Sequence, residues 1–273
     1  MKNAIIYSIH SSVSPVELNQ NFRQLRYSID TLRQYNKEIP IKVYLSPIGI
    51  FDTRTRDVRA DNIEYIEFNA VTDSRFYHEV YALWTSHKWP NAFDALEKFD
   101  YDNVLYVDAD TLWHNDPEKL FTKYGNTNHL WCRNDTAGGK FHSFTKLNAT
   151  PINDGVNLIS KQMLKYKDQI LQKREEMVLN WQKEYEDSDD EEIKGGVIHW
   201  AAGQYAISEY MASIDNPVHL FDDADVCYAE EYFEKTQQEV SNLVVCHYFN
   251  FNTDFFLPKY YSSHVKDMEP IDI

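Results

Sequence analysis

The chain has 273 residues, 43% of them hydrophobic, which is enough core for one large α/β domain or two small ones. Its formal net charge of −16 argues against nucleic acid and anionic lipid surfaces as partners, and a polyphosphate would need a local cation to be held. No run approaches the roughly 20 apolar residues of a membrane span. The apolar run at the N-terminus is too short for a signal peptide. Cys132, Cys227 and Cys246 lie in apolar surroundings without C-x-x-C spacing. They read as buried reduced thiols of a cytoplasmic protein.

In chain order, residues 4–10, "AIIYSIH", read as a buried strand of the parallel type. Residues 14–36 follow as a helix, with Leu18, Phe22, Leu25, Ile29 and Leu32 at three- and four-residue spacing and Ser14 with Glu17 as a capping box. Residues 41–47 and 62–68 are two further strands. Residues 76–89 and 91–99 have helical spacing, broken at Pro90. Asn103 to Val107 is another strand, so the first half has the alternating pattern of a doubly wound sheet. Beyond residue 113 the rhythm loosens. Residues 129–133 and 155–160 read as strands around a polar loop at 134–154, and residues 161–187 as one long helix. Another helix spans 197–213, with strands near 218–221 and 243–249. No repeat or Pro/Gly-rich linker divides the chain, so one domain over 1–273 is expected.

Four D-x-D patterns occur, at Asp100/Asp102, Asp108/Asp110, Asp187/Asp189 and Asp223/Asp225, in a chain whose Asp content alone predicts roughly two. Context separates them. Asp187/Asp189 belongs to an acidic run that reads as a solvated loop. Asp100/Asp102 lies in the turn feeding a strand, and no helix pattern precedes Asp223/Asp225. Asp108 and Asp110, with Ala109 between them, close a buried strand that follows a long helical stretch, at the carboxyl edge where α/β sheets place ligands. Two carboxylates this close repel unless a cation sits between them. The alternative is a capped turn.

With "NVLYVDADTLW" in that place, the chain resembles nucleotide-sugar glycosyltransferases of the GT-A fold, most of all the retaining family 8 that includes glycogenin and bacterial galactosyltransferases. Residues 87–110 are similar to the helix-plus-strand block in which a basic residue, here Lys88, faces the donor. "INDGVNLIS" resembles the family's N-x-G-V segment and supplies Asn153 and Gly155. Gln204 stands in the second position of its Asp-Gln pair, with Gly203 replacing the Asp. His247 in "CHYFNF" stands for its late metal-binding His. After it, Asn250 and Thr253 replace a Gly and a Lys, and Lys259 is a candidate substitute. The resemblance implies a metal-dependent transfer of a hexose from a UDP-sugar to a glycan or other hydroxyl acceptor, with retention. It also implies a nucleotide-binding half at 1–113 and a sugar and acceptor half at 114–273.

The residues support that chemistry on their own terms. A nucleoside diphosphate leaves readily only when its developing charge is neutralised, and carboxylate oxygens with one imidazole suit Mn²⁺ or Mg²⁺. Asp108, Asp110 and His247 are the candidate ligands; a histidine at the end of an apolar run also fits a plain backbone hydrogen bond. Ile9, His10 and Ser11 end the first strand, where a base and ribose would lie, or simply form its turn. Lys88 would neutralise phosphate or pair with an acid such as Glu97. Asn153, Asp154 and Gly155 would contact the sugar, Gly allowing close backbone approach, or else open a strand as a turn. Gln204 offers neutral polar groups to the sugar's reacting face, or is a structural helix residue. Asp154 is the carboxylate an inverting mechanism would recruit as base. A sugar nucleotidyltransferase would show a Gly-rich basic loop after the first strand, which "SIHSSVSPVE" lacks. A non-catalytic binding module on the same scaffold is the remaining alternative.

Overall fold

The computed structural model describes residues 1–10, 15–46, 61–68, 87–135, 149–187, 189, 197–228, 231–232 and 235–247. Ser11, the proposed cap Ser14, residues 76–86, Asn250, Thr253 and Lys259 lie outside them. The strands are β1 (Asn3–His10), β2 (Ile41–Ser46), β3 (Ile63–Glu67), β4 (Asn103–Val107), β5 (Thr111–Trp113), β6 (Leu130–Asn134), β7 (Ile152–Ser160), β8 (His219–Leu220), β9 (Val226–Tyr228) and β10 (Val245–His247). The α-helices are α1 (Pro15–Tyr35), α2 (Lys88–Lys98), α3 (Glu118–Tyr124), α4 (Lys167–Asp187), α5 (Val197–Ser213) and α6 (Gln237–Asn242).

Successive residues of a strand point to opposite faces, so an unbroken apolar strand needs cover on both. β1 has it. Ile5, Tyr7 and Ile9 enter one core with Phe22, Leu25, Ile29 and Leu32 of α1. Ala4 and Ile6 enter a second core with Trp89, Phe93 and Leu96 of α2. Around β1 a seven-stranded sheet forms in the order β3-β2-β1-β4-β7-β6-β8. Its β3-β2-β1-β4 half is parallel. β7 then runs antiparallel to both β4 and β6, while β8 is parallel to β6. The expected α/β class with a central mixed, mostly parallel sheet is what the structure has. Among the described residues no helix is long and apolar enough to cross a membrane, and all three cysteines are buried.

A second sheet, β5-β10-β9, was not foreseen from the sequence. Its strands are only three residues long and carry no periodicity of their own. The chain passes from the large sheet into the small one through Asp108, Ala109 and Asp110. Leading into β10 is α6, opened by a capping box between Thr236 and Glu239.

Three local expectations are corrected. Pro90 does not break a helix but sits in the first turn of α2, where a backbone N–H has no intrahelical acceptor to lose. Residues 161–187 are not one helix: a 3₁₀ segment, Lys161–Tyr166, precedes α4. Asn153, Asp154 and Gly155 are not a turn before a strand but lie inside β7.

Candidate active site

Asp108 follows the last residue of β4, Asp110 precedes β5, and His247 ends β10. Because β10 pairs antiparallel with β5, placing His247 opposite Thr111, the imidazole is carried to the aspartates. His247 Nε2 lies 3.3 Å from Asp110 Oδ1 and 3.7 Å from Asp108 Oδ2. One ligand atom from each of the three falls within 4.8 Å of the others. Two carboxylate oxygens and an imidazole nitrogen at this spacing could hold a divalent metal ion.

The loop that carries the aspartates is fixed from behind. The Thr111 hydroxyl donates to the Asp108 carbonyl at 2.8 Å and lies 2.9 Å from Ser28 Oγ on α1, which lies 2.8 Å from the Tyr7 hydroxyl on β1. The Asp108 N–H donates to the Gly155 carbonyl at 2.7 Å, extending the β4–β7 ladder by one bond. Its side chain accepts from the Tyr106 hydroxyl at 3.0 Å through Oδ1 and from Lys88 Nζ at 2.9 Å through Oδ2.

Lys88, the first residue of α2, also donates to Asp154 Oδ1 at 2.9 Å. Glu97, offered by the sequence as its partner, pairs instead with Lys167. The second Asp154 oxygen accepts from the Trp89 indole N–H at 3.0 Å. The Asp154 side chain is 6% exposed and that of Asp108 23%, so Asp108 faces outward and Asp154 stands behind it.

Opposing effects set the charges here. Burial alone would lower the Lys88 ammonium, but Asp108 and Asp154 outweigh it and hold Lys88 well above its ordinary value. Burial raises the Asp154 carboxyl from its ordinary value, countered by Lys88. Burial would raise Asp110 too; the His247 imidazole reverses this and holds it below its ordinary value. His247 is the mirror case, with burial opposing the charged form and Asp110, then Asp108, raising it above 6.5.

An irregularity in β7 presents the next residues. Consecutive residues Cys132 and Arg133 of β6 pair with Asn157 and Asn153, leaving Asp154, Gly155 and Val156 bulged relative to β6. Bulges re-aim side chains and concentrate beside active sites. Within this one, Asn153 Oδ1 accepts from the Gly155 N–H at 2.9 Å and Asn157 Nδ2 donates to the Asp154 carbonyl at 2.9 Å. Gln204 of α5 is buried; its Oε1 accepts from the Asp154 N–H at 3.3 Å and its Nε2 donates to Asp135 Oδ2 at 3.3 Å. Asp135, which also accepts from the Tyr205 hydroxyl at 2.8 Å, was missed in the sequence. It follows β6 in a run too polar to mark, and only the packing of α5 brings it to Gln204.

Lys88, Asp108, Ala109, Asp110, Asn153, Asp154, Gly155, Gln204 and His247 therefore form one connected region. Ile9 has its side chain in the core, so only its backbone can meet a ligand, and His10 closes the same strand. Three acids of the other D-x-D pairs have cationic partners of their own. Asp225 pairs with Lys123 at 2.6 Å, Asp223 with Arg133, and Asp100 with Lys161 and Lys2.

The fold is that of GT-A glycosyltransferases. The sequence matches no protein-family model, and no curated protein matches it either. Among solved structures it is similar to the galactosyltransferase LgtC in complex with donor and acceptor sugar analogs, at 15% identity and a TM-score of 0.56, covering 95% of this chain and 94% of that one. An active-site Gln-to-Glu mutant of LgtC superimposes equally well, with 15% identity, a TM-score of 0.56 and coverage of 98% and 97%. Mouse xyloside xylosyltransferase 1, in its apo form, shares 11% identity at a TM-score of 0.52, with coverage of 92% and 98%.

Proposed function

We propose that the chain is a metal-dependent glycosyltransferase of the family 8 type. It would move a hexose from a nucleotide-sugar donor, a UDP-sugar, to a hydroxyl of a glycan or other acceptor with retention of configuration. The observation that carries this reading is the convergence of Asp108, Asp110 and His247 at the carboxyl edge of β4, in a fold shared with sugar transferases. These three residues would hold Mn²⁺ or Mg²⁺. When bound, the ion supplies Lewis-acid neutralisation of the diphosphate leaving group.

The chain's own residues complete the site. Residues 1–113 form the nucleotide-binding half, with Ile9, His10 and Ser11 at the base and ribose end of β1 and Ala109 beside the donor. Residues 114–273 form the sugar and acceptor half of the same domain. Lys88 adds a positive charge next to Asp108, Asn153 and Gly155 stand on the sugar side, and Gln204, buried between the Asp154 N–H and Asp135, would have to leave those partners to meet the reacting face. A glutamine also belongs to the active site of LgtC. Retention is supported by the state of Asp154, the acid an inverting reaction would recruit. Both its oxygens are taken by Lys88 and Trp89.

The experiment is a melting series with UDP in the presence of Mn²⁺ or EDTA, paired with a UDP-sugar hydrolysis assay. UDP should raise the melting temperature only with the ion, because paired acids in a chain of net charge −16 repel a bare diphosphate. At about a hundred times its dissociation constant the ligand would stabilise by roughly 2.7 kcal/mol. Equal shifts in EDTA would sink the metal-bridge reading. Binding without hydrolysis or transfer, over a panel of donors, would leave a binding module instead.

A further inference from the structure

Lys88 opens α2, where a cation meets the positive end of the helix dipole and is disfavoured. It is held there by two carboxylates from different segments, Asp108 just past β4 and Asp154 within β7. One, Asp108, is exposed to ligand and shares its Oδ2 between Lys88 at 2.9 Å and His247 at 3.7 Å. A divalent ion held by Asp108, Asp110 and His247 would draw on that same carboxylate. The other, Asp154, is clamped on every side: by Lys88 and Trp89 at its carboxylate, by Gln204 at its N–H, and by Asn157 at its carbonyl. Trp89 is fully buried, so this clamp belongs to the core and not to a surface pair.

We propose that Asp154 is a positioning residue for Lys88: it keeps the ammonium in the site when a divalent cation takes the Asp108 carboxylate, so that Lys88 stands beside the ion as a second, fixed cation for the donor diphosphate. This rests on the metal site proposed above. Among the described residues, the groups facing Lys88 are Asp108, Asp154 and, through its ring, Tyr106. Beyond Asp108 lie Asp110 and His247. Asp154 therefore influences the ion through Lys88 and not as a ligand to it.

The test is a double-mutant cycle read by Mn²⁺ binding, with the free ion followed by electron paramagnetic resonance and folding checked by melting temperature. Lys88→Met should tighten Mn²⁺ binding, because the competing cation on Asp108 is gone. With Lys88 present, Asp154→Asn should weaken it about fivefold, since the ammonium then settles on Asp108 alone. In the Lys88→Met background Asp154→Asn should be nearly silent. A buried carboxylate stripped of its cation takes up a proton, so exchanging it for an amide changes no charge.

Equal weakening in both backgrounds would make Asp154 a ligand or a plain source of field and overturn the inference while leaving the metal site standing. No Mn²⁺ binding by any of the four proteins would overturn the metal site, and the inference with it. A second measurement needs no Asp154 variant. The Lys88 ammonium signal in ¹⁵N NMR, assigned by its loss in Lys88→Met, should shift on Mg²⁺ addition yet stay slow to exchange. Broadening into rapid exchange would show release to solvent and overturn the proposal.

Discussion

Gly155 lies against His247: a Cβ at position 155 would overlap Cε1, Nδ1 and Nε2 of the imidazole. The same glycine accepts the Asp108 N–H through its carbonyl, so one residue of β7 seats two of the three candidate ligands. The sequence reading gave this glycine the task of letting a sugar approach. The structure assigns its missing side chain to the histidine.

Gly155→Ala should therefore displace His247 and weaken Mn²⁺ binding by at least about tenfold, with a stability cost of about 1–3 kcal/mol for overpacking. Calorimetric metal titration and thermal melting separate the two effects. Unchanged Mn²⁺ affinity would show that the imidazole is not a ligand.

Asp110→Ala and His247→Ala should each abolish turnover with the fold intact. Asp223→Ala should leave turnover largely unaltered, because Asp223 is exposed and its partner Arg133 is also held by Glu231, apart from the Asp108, Asp110 and His247 group. Donor hydrolysis and circular dichroism on the three variants decide the matter. If Asp223→Ala is folded but inactive and Asp110→Ala is active, the wrong aspartates have been chosen.

The metal site should be pH-dependent in a defined sense. In the metal-free protein His247 is raised above 6.5, so its pairing with Asp110 stabilises fully below that value and the stabilisation is lost as pH rises through the raised one. Asp110 is depressed below 3.8, so its share is present above that value and lost as pH falls through the depressed one. A metal must displace the His247 proton. Mn²⁺ affinity should thus rise by up to about tenfold per pH unit below the raised value and level off above it, with proton uptake by the buffer seen in calorimetry. A flat profile would separate His247 from the ion.

An α-linked donor should yield an α-linked product. Asp154 is nearly buried and committed at both oxygens, and Asp135 beyond it is buried and accepts from Gln204 and Tyr205, so among the described residues neither is poised as a base for attack from the opposite face. NMR of the first-formed product reads the anomeric configuration directly, and a β-linkage would return Asp154 to the role of base.

Much of this was legible without coordinates where the signal is local. β1, β2, β4 and α1 are long apolar or periodic runs, and their burial requirement dictates a covered parallel sheet. Asp108 and Asp110 could be chosen over three rival pairs because an acid pair ending a buried strand is costly without a cation. His247 was visible as the end of an apolar run. The partners of these residues were not visible. Lys88 might as well have taken Glu97 on paper, but Glu97 lies about 13 Å further along the same helix, out of reach. The apolar run ending at His247 reads as a strand, but β5, the three-residue strand that pairs with it and brings His247 to Asp110, is too short for any pattern. Identity and chemistry of the ligands are properties of side chains and their immediate neighbours, so the sequence determined them. Which acid holds Lys88, which glycine admits His247 and which aspartate fixes Gln204 depend on contacts between distant segments, and only the tertiary structure decided them.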